Sequence, residues 1–162
     1  MSMFFERTVY EGDNAKNERF PMTKIARCCC GSLRAEATGE PSLVGVCHCT
    51  ECQRRTGSAF GVSTYFPKDQ LRTEGPSKVY VRGSDSGRKI ELHFCPDCGT
   101  SLFWYAEFLP DHIGIAFGTF ADPLPWPTVS VWEMTRHPWV TFDHPVDRFT
   151  DQLSTPTTSA TG

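Results

Sequence analysis

The sequence has no apolar run approaching the roughly 20 residues that a membrane-spanning helix requires. Its longest such pieces are of the kind LFWYA at 102–106. The start, MSMFFERTVYEGD, lacks the basic n-region and apolar h-region of a secretory leader, so a cytoplasmic location is expected. Nothing reads as a glycine-rich phosphate loop, a nucleophile elbow or a pair of catalytic carboxylates. Net charge is also small, −3 over 162 residues, but it is unevenly spread. Residues 50–90 carry eight basic side chains against four acidic, and residues 91–162 carry two against nine. So acidic a C-terminal half argues against nucleic acid as a partner, since phosphate neutralisation drives that affinity. The basic middle segment could still attract a small anion.

What is present is the composition of one globular domain, 39% hydrophobic and 22% charged. A chain this long buries roughly 70% of its extended surface and can stand without disulfides. Residues 1–22 mix charge, glycine and asparagine with a few aromatics and are expected to form an arm of uncertain order. Residues 150–162 are expected to be a flexible Ser/Thr/Pro tail. Between them, residues 23–149 are a succession of short segments rich in β-branched and aromatic residues, punctuated by turn signals such as Gly39–Glu40–Pro41 and Glu74–Gly75–Pro76. Strands are expected at 24–28, 32–38, 42–48, 59–66, 78–83, 88–94, 101–106, 112–118 and 128–134, which makes the domain mainly β. The one good helical stretch is TECQRRTG, about two turns starting at Thr50, whose hydroxyl could cap it.

Eight cysteines dominate the pattern. In a reducing compartment, clustered cysteines read as metal ligands before disulfides. Alternate residues of a strand share a face, so Cys28 and Cys30 can converge on one ion while Cys29 points away. Cys47 and Cys49 converge likewise, with His48 turned away and Cys52 brought back by a helix start. CPDCG at 95–99 is a knuckle whose Gly99 supplies a permissive backbone. Cys28, Cys30, Cys95 and Cys98 therefore make a closed four-thiolate site. Zinc is the default ion there, and the spacings match no familiar iron–sulfur run. Cys47, Cys49 and Cys52 make three ligands, the pattern of a catalytic zinc that leaves its fourth position to water or substrate. The other reading is a second structural site completed by Cys29, His48 or His93; strand parity disfavours the first two, and His93 shares a face with Cys95.

The order CCCG at 28–31, CHCTECQRRTG at 47–57 and FCPDCGTSLF at 94–103, with GIAFGTFADP at 114–123, resembles the glutathione-dependent formaldehyde-activating family, which includes centromere protein V. The resemblance spans roughly residues 22–142. It implies a β-tent of antiparallel sheets organised around zinc, with one short helix after the CxC motif. It implies two Zn²⁺ per chain, structural at Cys28, Cys30, Cys95 and Cys98, and catalytic at Cys47, Cys49 and Cys52. The implied activity is that of a carbon–sulfur lyase joining a thiol, such as glutathione, to formaldehyde as S-(hydroxymethyl)glutathione. The alternative is a zinc-stabilised binding module in which both metals are structural.

Further candidates come from single residues. Arg54 and Arg55 follow the third zinc cysteine of that set and could hold a substrate carboxylate, or simply be solvated helix residues. His93 and His112 could serve as acid–base groups or be structural. Trp104, Tyr105, Trp126, Trp132 and Trp139 read first as packing aromatics and second as pocket walls. Cys29 reads as a small buried hydrophobe.

Overall fold

In the computed structural model, residues 22–84 and 87–152 are described. Residues 1–21, most of the expected arm, and residues 153–162, most of the expected tail, lie outside them, as do Asp85 and Ser86. The described chain is mainly β. A three-stranded antiparallel sheet holds β1 (Thr23–Arg27), β2 (Arg34–Thr38) and β5 (Leu71–Glu74) in the order β1-β2-β5. An eight-stranded sheet holds β3 (Leu43–Cys47), β4 (Gly61–Pro67), β6 (Lys78–Gly83), β7 (Lys89–Phe94), β8 (Ser101–Ala106), β9 (His112–Ala116), β10 (Val129–Val131) and β11 (Asp147–Arg148). Its order is β11-β10-β3-β4-β9-β8-β7-β6. Helix α1 (Thr50–Thr56) follows β3 directly. No helix among the described residues is long and apolar enough to cross a membrane.

The strands alternate because one face of each meets the core. On β1 and β2 the small sheet buries Ala26, Ala35 and Ala37, whose short side chains let it sit close to Phe66, Leu102 and Ile115 of the large sheet, and β5 adds Leu71. Cys28 and Cys95 belong to this same buried cluster, so the four-cysteine group sits against the core between the sheets. Ile90, Leu92, Trp104 and Ala106 form a second cluster from β7 and β8. There Gly114, paired with Trp104, lets the buried indole lie across β9: a Cβ at Gly114 would stand 2.1 Å from Trp104 Nε1.

Three expectations are corrected. Most pairings are antiparallel, but β10 runs parallel to both β3 and β11. β1 ends at Arg27, so Cys28 and Cys30 converge through a turn rather than through strand parity. The helix cap is Cys49, whose Sγ accepts the Cys52 N–H at 3.4 Å, rather than the Thr50 hydroxyl.

Candidate functional site

The first cysteine group is built from two turns. Gly31 donates its N–H to the Cys28 carbonyl and Gly99 to the Cys95 carbonyl, each at 3.0 Å. Gly99, at φ 73°, takes the left-handed conformation expected of it. The sulfurs of Cys28, Cys30, Cys95 and Cys98 all lie within 4.8 Å of one another, with Cys30 3.5 Å from Cys28 and 3.6 Å from Cys95. Leu33 N–H donates to Cys28 Sγ at 3.2 Å, and the Ser32 hydroxyl lies within hydrogen-bond distance of Cys30 and Cys95, at 3.1 and 3.2 Å. The Thr100 hydroxyl, 3.2 Å from Cys98, leads a set of hydrogen bonds that hold that thiol down to about 5. In the same group, against the hydrogen bonds from Ser32, the neighbouring Cys28 and Cys95 push Cys30 up to about 11, and the four converging sulfurs could hold a cation. Cys29 is exposed, not a buried hydrophobe, and its N–H donates to Thr100 Oγ1 at 3.2 Å.

The second group comes from one segment. Cys47 ends β3, opposite Gly61 of β4; Cys49 caps α1 and Cys52 lies in its first turn. Their sulfurs also lie within 4.8 Å of one another, and no other His, Cys, Asp or Glu among the described residues joins them. Hydrogen bonds from Cys47, then from Cys52, pull the Cys49 thiol down to about 2 and in return push Cys47 upward.

His48, between two of these cysteines, is fully buried and faces away from them, edge-on to Phe60 and Phe142. Its Nε2 is 3.1 Å from Ser130 Oγ, and the Ser130 hydroxyl in turn donates to Glu133. Burial pushes the imidazole below its ordinary value, so it stays neutral. Its carbonyl accepts from Gln53 Nε2 at 2.7 Å and Thr135 Oγ1 at 2.9 Å, which fixes the turn that carries Cys47 and Cys49. His93 joins neither cysteine group. It bonds Glu91 at 2.8 Å and Ser77 at 3.2 Å and stacks on Phe103, on the far side of a bulge at His93/Phe94.

Cys47 and Cys49 open onto a cavity of about 360 Å³ whose walls include Tyr65, Ile90, Phe108, Val131 and Trp132. Arg82, on β6, and Arg88, just before β7, are its basic residues. Arg54 and Arg55 do not line it. Arg54 pairs with Glu51 at 2.6 Å, and the Arg55 guanidinium sits over Trp104, 4.7 Å from the ring centroid; both line a neighbouring cleft of about 420 Å³ that meets the first at Glu51 and Arg82. His93 and His112 line neither space. Tyr65 lines the cavity; burial holds its phenol up to about 12, and its hydroxyl is engaged with the Trp104 and Ser63 side chains.

Against known families, the model of the glutathione-dependent formaldehyde-activating enzyme matches residues 23–135. The chain belongs to that family. No curated protein matches it. Among solved structures, a Rhodobacter sphaeroides protein is similar at 20% identity, over 62% of this chain and 91% of that one, with a TM-score of 0.50. At that identity the likeness shows the shared fold alone. The family match covers both cysteine groups and Arg82 and Arg88, and ends just past Trp132.

Proposed function

We propose that this protein is a zinc-dependent carbon–sulfur lyase that joins a small thiol of the glutathione type to formaldehyde or a similar small aldehyde, and reverses the reaction. In the forward direction a sulfur–carbon bond forms as the carbonyl π bond breaks, and the thiol proton ends on the new hydroxyl. The observation that carries the reading is the trio Cys47, Cys49 and Cys52, three converging sulfurs without a fourth protein ligand of the same kinds among the described residues, two of which, Cys47 and Cys49, line a cavity. Family membership supports the same chemistry.

The donor sets fit zinc. Thiolates about 2.3 Å from a tetrahedral zinc lie about 3.8 Å apart, close to the 3.5 and 3.6 Å separations in the four-cysteine group. Cys28, Cys30, Cys95 and Cys98 would hold the structural ion, and Cys47, Cys49 and Cys52 the catalytic one. Bound at three thiolates, zinc supplies Lewis acidity that lowers the pKa of a thiol or water in its fourth position. The chain's own residues do the rest. Arg82 and Arg88 hold the substrate's carboxylate, the role expected from sequence of Arg54 and Arg55. Ile90, Phe108 and Val131 exclude water from the sulfur.

Cys49→Ser tests the reading. It should lose one zinc of two and all turnover of glutathione with formaldehyde, yet keep its fold, because the four-cysteine ligands lie on other segments. Unfolding of this variant would favour the binding-module alternative. Turnover after loss of that zinc would end the zinc-enzyme reading.

A further inference from the structure

Trp132 is the one non-glycine residue among the described residues with a left-handed backbone, at φ 61° and ψ 42°. That conformation costs a bulky side chain energy and persists only where its surroundings over-determine it. Here they do: the N–H groups of Trp132, Glu133 and Met134 donate to the carbonyls of Asp151, Phe149 and Thr150 at 2.7, 3.1 and 3.3 Å. The Trp132 carbonyl accepts from Thr135 N–H and Thr135 Oγ1, each at 3.1 Å.

The strain has a geometric consequence. Along β10, Ser130 is buried against His48, and Val131, the partner of Cys47, faces the cavity. An extended Trp132 would follow Ser130 to the far face. The left-handed turn instead puts Val131 and Trp132 consecutively on the cavity wall. A glycine would give the same turn without strain, so the aromatic ring is retained against the local backbone preference. Strain of this kind clusters at ligand sites.

We infer that Trp132 determines specificity in this cavity, its indole packing against the carbon skeleton of the thiol whose sulfur meets Cys47, Cys49 and Cys52 and whose carboxylate meets Arg82 and Arg88. The inference rests on the reading of the cavity as the thiol site. The ligand class is thus a carboxylate-bearing thiol with enough aliphatic or peptide surface to span from the arginines to the indole. Cysteamine, which has neither, gains nothing from Trp132.

Calorimetric titration of zinc-loaded protein with glutathione and with cysteamine tests this. Trp132→Gly should keep both zinc ions and melt within about 3 °C of wild type, since released strain offsets added chain entropy. Its glutathione affinity should fall about ten-fold or more, with cysteamine affinity unchanged. Trp132→Phe should retain glutathione affinity within about three-fold, and Trp132→Asn, which tolerates the turn, should behave like the glycine variant. Wild-type glutathione affinity in Trp132→Gly, an equal loss for both thiols, or a phenylalanine variant as weak as glycine would each overturn the inference. A glycine variant that melts far below wild type would overturn it too, by making Trp132 a packing residue. Cys49→Ser in the same titration separates the two levels: undiminished glutathione binding there refutes the thiol site itself, whereas loss there with wild-type binding in Trp132→Gly refutes only the role of the indole.

Discussion

Gly114→Ala would force a methyl group into the buried face of Trp104. The added Cβ would stand 2.1 Å from Nε1, 2.4 Å from Cε2 and 2.8 Å from Cδ1 of an indole that is 4% exposed. Ordinary carbon contact is about 3.5 Å, so ring and strand must part by more than 1 Å. Neither is free to yield. β9 is paired on both sides, by β4 and β8, and the indole is met edge-on by Tyr65 and covered by the Arg55 guanidinium. Overpacking of this kind costs about 1–3 kcal/mol, and losing the cation–π contact adds about 0.5–1 kcal/mol. A total near 3 kcal/mol lowers the melting temperature of a domain this size by roughly 6–12 °C. Thermal melting by circular dichroism, with the near-ultraviolet tryptophan signal, reads both the loss and its location. Trp104→Phe in the same chain should recover part of it, giving a coupling of about 1 kcal/mol or more. A Gly114→Ala protein that melts within about 2 °C of wild type with an unchanged near-ultraviolet spectrum would show that Trp104 and β9 are not packed this closely.

Other perturbations separate the remaining parts. Cys95→Ser should unfold or aggregate the protein, because the zinc proposed at the four-cysteine group would contribute folding free energy on the order of 10 kcal/mol; a variant that melts like wild type with one fewer zinc would contradict that. Glu133 works against its own burial, held below the usual carboxylate range by Ser130, Arg136 and Arg148. A depressed carboxyl contributes stability that is present above the unfolded value, about 4.3, and is lost as pH falls through the folded one. Glu133→Gln should therefore melt lower at pH 7 and lose melting temperature more gently than wild type below about pH 5, as parallel acid limbs would disprove. Arg82→Gln and Arg88→Gln should raise KM for glutathione with kcat little changed, whereas Arg54→Gln should leave both near wild type; the reverse pattern in steady-state kinetics would restore the helix arginines.

Much of the framework was legible because it depends on local pattern. β6 and β8 stand at the expected 78–83 and 101–106, where β-branched and aromatic residues are dense. β5 and β11 were missed for the same reason. One has a single buried residue, Leu71, and the other is two residues long, so neither has an alternation to read. Both cysteine groups followed from spacing, although the means of convergence differed: a turn at Cys28–Gly31 and the β3–α1 junction do what strand parity was expected to do. The cavity was beyond reach, because its walls come from segments far apart in sequence that meet through the β10–β3 pairing and the β6–β7 hairpin. Arg82 and Arg88 stood out only as members of a basic stretch, while adjacency to Cys52 favoured Arg54 and Arg55. Nothing in the type of Trp132 signals a left-handed backbone; that follows from three hydrogen bonds to residues 149–151.

In the proposed enzyme one metal site is complete in protein sulfur and the other takes its fourth ligand from the substrate. X-ray absorption at the zinc edge of the two-zinc protein measures this directly. The expected average is about 3.5 sulfurs and 0.5 lighter ligands per zinc, rising to about 4 sulfurs when glutathione is added to wild type. An average of four protein ligands without thiol, unaltered by saturating glutathione, would contradict it.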